Sequence, residues 1–156
     1  MILAHCKLQG ESGHDAGRRL LRQLFWEQTG QEMPEIALTE RGKPYFLHEE
    51  WQFSISHTKS HAFCALSRNP VGIDAEELDR NVKLALADKV LSSAEKAQFE
   101  AASDQRRALL TFWVLKEATA KFTGEGLRGY PNHTNFSLDD PRVMELDGCL
   151  VAVMEE

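Results

Sequence analysis

Val71-Gly72-Ile73-Asp74-Ala75-Glu76 is the stretch on which the fold of this chain turns. Val71, Ile73 and Ala75 alternate with Gly72, Asp74 and Glu76, and a period of two is that of a strand with one face in the core. Both carboxylates then share the opposite face, with Gly72 leaving that face open beside them. About forty residues later, Trp113-Val114-Leu115-Lys116-Glu117-Ala118-Thr119-Ala120-Lys121 repeats Trp113, Glu117 and Lys121 at every fourth position. On a helix that spacing stacks them along one stripe. Strand and helix together can bring three carboxylates and a lysine to one site, a set of groups suited to a hard cation and a pyrophosphate. Each segment alone has an ordinary explanation, since half-buried strands show charge to water and Glu/Lys pairs are common on helix surfaces. The case for a site rests on their joint occurrence with the segments around them.

Before this strand, the pattern predicts a helix over 15–28, capped by Asp15, with Ala16, Leu20, Leu21, Leu24 and Phe25 as its apolar stripe and Thr29-Gly30 as its end. Extended segments follow at 36–38, at 51–56, where Trp51, Phe53 and Ile55 alternate with Gln52, Ser54 and Ser56, and at 61–67. The last two read as a hairpin through Thr58-Lys59-Ser60, and Arg41-Gly42-Lys43-Pro44 reads as a turn. After the break at Ser67-Arg68-Asn69-Pro70 the chain becomes more helical. A helix is expected over 83–91, another begins at the capping box Ser92-Ser93-Ala94-Glu95, and the longest covers 105–122, closed by Thr123-Gly124-Glu125-Gly126. Short strands are expected at 136–138 and 149–154. The order describes an α+β fold in one domain, made of two pseudo-symmetric halves of about 1–67 and 68–156, each strand, helix and strands, packed together.

With 156 residues, 42% hydrophobic and 27% charged, the chain has the composition of a folded domain rather than a disordered segment. No run approaches the length that crosses a bilayer, and Met1-Ile2-Leu3-Ala4-His5-Cys6-Lys7-Leu8 lacks the basic start and apolar run of a signal peptide, so a cytoplasmic protein without membrane contact is expected. A net charge of −6 argues against general nucleic-acid binding. Local basic groups remain for phosphates or an acidic partner: Arg18, Arg19 and Arg22 on the first helix, and Lys89, Lys96, Arg106 and Arg107 later. Cys6, Cys64 and Cys149 show no Cys-x-x-Cys spacing and read as small core residues. His57 and His61 are spaced for zinc on a helix, but their segment reads as a hairpin. Ser56-His57 is no hydrolase pair, because neighbours on a strand point oppositely and no Gly-x-Ser-x-Gly elbow occurs.

Four segments in this order resemble the 4′-phosphopantetheinyl transferase superfamily, in its compact two-lobed, surfactin-synthetase-activating type. They are Arg41-Gly42-Lys43-Pro44-Tyr45-Phe46, Phe53-Ser54-Ile55-Ser56-His57-Thr58, Val71-Gly72-Ile73-Asp74-Ala75-Glu76, and Phe112-Trp113 through Lys116-Glu117-Ala118 to Lys121, followed by Gly124-Glu125-Gly126-Leu127. The likeness spans roughly residues 15 to 138. It implies transfer of 4′-phosphopantetheine from coenzyme A to a serine of an apo acyl or peptidyl carrier protein, with release of adenosine 3′,5′-bisphosphate and an active site between the halves. It also implies Mg2+ held by Asp74, Glu76 and Glu117, with Lys121 on a phosphate oxygen and Glu117 accepting the serine proton. By motif position Lys43, Ser56 and His57 would hold coenzyme A, joined by Arg18 or Arg19 through the short Asp15-Ala16-Gly17-Arg18 match. Glu95 stands where the family has a glutamate ahead of its catalytic helix, so both a capping role and a site role are open.

The chain is expected to depart from longer relatives at its start, in a minimal tail beyond Met154, and at Ala75. The short segment ahead of the first helix implies a weaker grip on coenzyme A, and Ala75 stands where a larger aliphatic residue is usual, which affects packing more than metal binding. Two other functions stay open at this point: a catalytically weak module that binds coenzyme A or a carrier protein, and another magnesium enzyme acting on a pyrophosphate-containing nucleotide. A site built between two halves of one chain favours a monomer. The carrier would meet a basic or apolar surface near Lys83 and Lys89 or the loop after Gly126.

Overall fold

Strand alternation on both sides of the chain's midpoint builds two antiparallel sheets of three strands each. The computed structural model describes residues 1–126 and 134–156. The first sheet holds β1 (Ile2–Lys7), β4 (Gln52–His57) and β5 (His61–Ser67) in the order β1-β5-β4, and the second holds β6 (Val71–Glu77), β7 (Val143–Leu146) and β8 (Cys149–Glu155) in the order β6-β8-β7. Each sheet thus pairs its first strand with its last and its last with its middle one. A long helix follows the first strand in the first half, α1 (Gly13–Thr29), and another stands between β6 and β7 in the second, α4 (Gln105–Thr123). Between them lie the hairpin β2 (Ile36–Leu38) and β3 (Pro44–Phe46), a 3-10 turn at Leu84–Leu86, α2 (Ala87–Val90) and α3 (Ser93–Ala101).

The apolar faces stack these elements into four layers. Leu20, Leu21, Leu24 and Phe25 of α1 pack on Phe53, Ala62, Cys64 and Leu66 of the first sheet. The opposite face of that sheet, with Phe63 and Ala65, packs on Val71, Ile73, Ala75, Val151 and Val153 of the second. The outer face of the second sheet, with Leu150, Ala152 and Met154, is covered by Leu110, Val114, Leu115 and Ala118 of α4. Each buried Leu, Val or Phe contributes about 1.5–3 kcal/mol. Cys64 and Cys149 are buried, Cys6 is partly so, and all three are free thiols.

This layering overturns one expectation. The face of β6 that carries Asp74 does not look into open space: α4 lies over it, and Asp74 is only 6% exposed. Gly72 is what lets α4 come so close. A Cβ there would stand 2.2 Å from the Ala118 carbonyl oxygen and 2.4 Å from the Phe122 nitrogen.

The two sheets meet at an unusual seam. β4 and β6 are edge strands that lie side by side without sharing a ladder. Their backbone groups are joined through side chains instead: Ser54 Oγ accepts from the Ile73 N–H at 3.0 Å and Ser56 Oγ from the Ala75 N–H at 3.1 Å. Alternate serines on β4 thereby satisfy alternate amides on β6, which would otherwise be buried donors without partners.

Several local expectations are corrected. α1 starts earlier than Asp15: Ser12 is the N-cap and accepts from the Asp15 N–H at 3.1 Å, leaving Asp15 as the acid of the first turn. Pro44 opens a strand rather than ending a turn, its hairpin closed by Gly42 at φ 86° and by the Thr39 N–H donating to the Lys43 carbonyl at 2.9 Å. The helix expected over 83–91 is a 3-10 turn running into the short α2. Residues 136–138 form no strand, and the missing partner of β8 is β7. The turn between them is Asp147-Gly148, both at positive φ (49° and 75°), a residue pair that favours two-residue hairpins.

Glu95 has a structural setting. Its carboxylate accepts from the Ser92 N–H at 2.8 Å while Ser92 Oγ accepts from the Glu95 N–H at 3.2 Å, completing the capping box of α3. It also pairs with Lys116 Nζ at 2.8 Å and accepts from the Phe136 N–H at 3.1 Å, so α3, α4 and the 136 segment meet on one carboxylate. Both members of the ion pair are fully buried. Burial pulls the Lys116 ammonium below its ordinary value, and Glu95 opposes that pull.

Two stability predictions follow from these contacts. Gly72→Ala should cost about 2–4 kcal/mol in urea denaturation, because backbone rather than a flexible side chain occupies the Cβ position. Lys116→Met should cost about 3–5 kcal/mol by leaving Glu95 buried without its counter-charge, and Lys116→Met with Glu95→Gln should recover part of it. A cost below about 1 kcal/mol for either single change would contradict the packing described.

Candidate active site

A cleft of about 580 Å³ opens where the two halves meet. The first half contributes His14 and Arg18 from α1, Arg41 and Lys43 from the β2–β3 hairpin, and Ser56 and His57 from β4. The second contributes Asp74 and Glu76 from β6 and Glu117 and Lys121 from α4. The i,i+4 spacing puts Glu117 and Lys121 on the same side of α4, and Gly72 allows that side to reach β6.

Asp74 is the centre of the polar network. Its Oδ1 accepts from Lys121 Nζ at 2.8 Å and from Ser56 Oγ at 3.2 Å. Its Oδ2 is buried and has no hydrogen-bond partner among the described residues. Burial raises the Asp74 carboxyl above its usual range, against the pull of the Lys121 charge. Glu117 is raised to about 7, first by burial and then by the neighbouring charge of Asp74, with Lys121 opposing and Glu76 adding to the effect. Glu76 is paired with Arg80, four residues on. Lys121 Nζ also lies 3.5 Å from the Ile55 carbonyl oxygen, so one lysine touches both halves.

A buried carboxylate oxygen without a partner is costly. Here it sits beside two further carboxylates, one of them driven toward its neutral form. Such a set of oxygen donors fits a small hard cation, which would satisfy the orphaned oxygen and relieve the repulsion together. Asp74, Glu76 and Glu117 are the residues that could hold such a cation.

The remaining candidates are distributed as follows. Lys43 lines the cleft, but its Nζ donates to the Phe122 carbonyl at 2.7 Å, latching the hairpin to the end of α4, and burial lowers its ammonium. Ser56 is part of the seam, accepting from Ala75 and donating to Asp74. His57 packs its ring on the first turn of α1, where a Cβ on Gly13 would stand 2.3 Å from His57 Cγ. Arg18 faces the cleft; Arg19 does not line it and instead donates to Glu11 at 2.6 Å and approaches Cys6 Sγ at 3.6 Å. His57 lines the cleft while His61 contacts Ser60 and Asp147, so the two do not form the zinc pair their spacing suggests on a helix. His14 and Arg41 were not singled out as site residues, although His14 stands one helical turn before Arg18 and Arg41 opens the first quoted motif. Leu127 of the last motif, and the rest of the 127–133 loop proposed for carrier contact, lie outside the described residues. Among the described residues, no helix is long and apolar enough to cross a membrane.

Comparison with known proteins places the chain in a family. The family model of the 4'-phosphopantetheinyl transferase superfamily matches residues 70–147, which include Asp74, Glu76, Glu117 and Lys121. The chain is 32% identical to the 4'-phosphopantetheinyl transferase psf-1 of Bacillus pumilus over 116 residues, 71% of this chain and 49% of that protein. It is 32% identical to the 4'-phosphopantetheinyl transferase gsp of Aneurinibacillus migulanus over 90 residues, 56% of this chain and 37% of the other. A 4'-phosphopantetheinyl transferase of Bacillus subtilis is 30% identical over 95 residues, 59% and 42% of the two chains. The match spans less than half the length of each of these relatives. With the family model covering half of its residues, around the same carboxylates and lysine that line the cleft, the chain belongs to the 4'-phosphopantetheinyl transferase superfamily.

Proposed function

We propose that this chain transfers 4′-phosphopantetheine from coenzyme A to a serine hydroxyl of an apo acyl or peptidyl carrier protein, with Mg2+ as cofactor, releasing adenosine 3′,5′-bisphosphate. The observation that carries the reading is Asp74: a buried carboxylate with one oxygen held by Lys121 and Ser56 and the other without a partner among the described residues, beside Glu76 and Glu117 in a cleft between the halves. When bound, magnesium would neutralise the pyrophosphate and polarise the phosphorus under attack. In the reaction, the serine oxygen forms a bond to that phosphorus while the bond to the bridging pyrophosphate oxygen breaks.

The chain's own groups have distinct tasks in this reading. Glu117, raised to about 7, is suited to accept the serine proton near neutral pH. Lys121 places a positive charge beside Asp74, where it can stabilise negative charge on the departing phosphate. His14, Arg18, Arg41, Lys43 and His57 form the donor-rich wall contributed by the first half, fitted to the adenosine 3′-phosphate. Arg19, tied to Glu11, serves α1 rather than the ligand in this reading. We further propose that the protein works as a monomer in the cytoplasm; the cleft draws its polar groups from both halves of one chain.

Incubation of the protein with coenzyme A, magnesium and a panel of apo carrier proteins should add about 340 Da, one phosphopantetheine, to a carrier serine in intact-mass spectra. Asp74→Ala and Glu117→Ala should lower that transfer by about 1000-fold or more, whereas Lys43→Ala should chiefly raise KM for coenzyme A, by about tenfold. No mass gain on any carrier, with coenzyme A still bound, would leave a binding module. The crowded carboxylates also have a cost that can be measured. In metal-free protein Glu117→Gln should raise stability by about 1 kcal/mol, read as a higher Tm, while abolishing transfer. A lower Tm would mean that the Glu117 charge is not under repulsion.

A further inference from the structure

Away from the cleft, a second group of metal-ligating side chains closes one end of the layer between the sheets. His61 opens β5, Glu77 closes β6 and Cys149 opens β8, and one ligand atom from each lies within 4.8 Å of the others. The strand register explains the meeting. Glu77 and Cys149 are direct partners in the β6–β8 ladder, and they continue the row of Ile73, Ala75, Val151 and Val153 that faces the first sheet. His61 begins the row of Phe63 and Ala65 that faces back. Where that sandwich runs out of apolar side chains, it ends in an imidazole, a carboxylate and a thiol.

The surroundings hold these groups in place. Ser60 Oγ donates its one proton to the Glu77 carboxylate and so accepts from His61 Nδ1 at 2.7 Å, which leaves Nε2 as the ring nitrogen with a free lone pair. Asp147 Oδ2 lies 4.0 Å from His61 Nε2, beyond hydrogen-bond reach, and its near partner is His5 Nδ1 at 2.8 Å. An acceptor on the far ring N–H is the usual support of a metal-bound histidine, and Ser60 Oγ supplies it on Nδ1. Cys149 Sγ is buried and 3.9 Å from Thr58 Oγ1.

We propose that His61, Glu77 and Cys149 form a zinc site, with water at the fourth position and Ser60 orienting His61. Zinc accepts nitrogen, sulfur and oxygen donors at about 2.0–2.3 Å, and three protein ligands with one water is a common arrangement. The sulfur and nitrogen donors separate this site from the cleft, whose oxygen donors suit magnesium. Tetrahedral bonds of that length hold ligands about 3.5 Å apart, so ligand atoms already within 4.8 Å of one another need only a small closure. On binding, the Cys149 thiol gives up its proton and a thiolate–metal bond forms. The ion then joins the first sheet, through His61, to the second, through Glu77 and Cys149, at a place where no backbone ladder does so.

The test is Co2+ titration of chelator-treated protein, followed by the near-ultraviolet charge-transfer absorption that only a thiolate ligand produces. One Co2+ per chain should generate the band; Cys149→Ser should abolish it, Cys64→Ser should keep it, and His61→Gln should weaken Co2+ binding by about tenfold or more. Zn2+ should raise the Tm of the wild-type chain by about 5 °C and leave Cys149→Ser unmoved. No band with the wild-type chain, or a band that survives Cys149→Ser, would overturn the site. Should Cys149→Ser fail to fold, unchanged Co2+ affinity in His61→Gln would overturn it equally. These readouts do not involve phosphopantetheine transfer, so failure here leaves the proposed activity standing.

Discussion

The approach of α4 to β6 at Gly72 is the constraint on which the site depends. With any side chain at that position, backbone atoms of Ala118 and Phe122 would have to retreat. The retreat would draw Lys121 away from Asp74, and Asp74 would then be a largely buried carboxylate without its counter-charge. The hydrophobic layer beneath α4 supplies the force that holds this approach together, through Leu110, Val114, Leu115 and Ala118 on Leu150, Ala152 and Met154. Packing thus maintains a strained electrostatic arrangement that the charged groups alone would not form.

The seam distributes that constraint across the molecule. Because β4 and β6 are joined by serine hydroxyls rather than by a ladder, the hydroxyl of Ser56 can serve two masters: it accepts from the Ala75 backbone and donates to Asp74. A ladder carbonyl could accept but never donate, and the second bond would be lost. Lys121 adds a further tie by reaching the Ile55 carbonyl. The same short segment therefore aligns the halves and sets the orientation of the central carboxylate.

Much of this was legible from residue pattern. The alternation of 71–76 and the four-residue stripe of α4 named Asp74, Glu76, Glu117 and Lys121, because both signals reflect periodicities that burial enforces. Burial of the face that carries Asp74 was not legible, since alternating polarity describes a half-exposed strand and gives no sign of a helix laid over the polar side. Gly72 carried the clue, but a glycine that opens space and one that admits a backbone look alike in one dimension. β7 was missed because Val143–Leu146 is short and carries Glu145, although Asp147-Gly148 marks its turn. His14 escaped because the start of α1 was placed at Asp15, which left His14 outside the helix and off the face of Arg18. Arg18 and Arg19 could not be told apart in sequence, because neighbours on a helix point about 100° apart; of the two, Arg18 lines the cleft.

The two halves repeat one frame but not one chemistry. Where β6 turns Gly72, Asp74 and Glu76 toward its helix, the corresponding face of β1 turns Ile2, Ala4 and Cys6 toward α1. The second half brings three carboxylates with Lys121 among them, and the first brings His14, Arg18, Arg41 and Lys43. The cleft consequently has poles, acidic on one wall and basic on the other. A ligand with unevenly distributed charge would meet a directional field in this cleft, so the broken symmetry would bias its orientation before any specific contact is made.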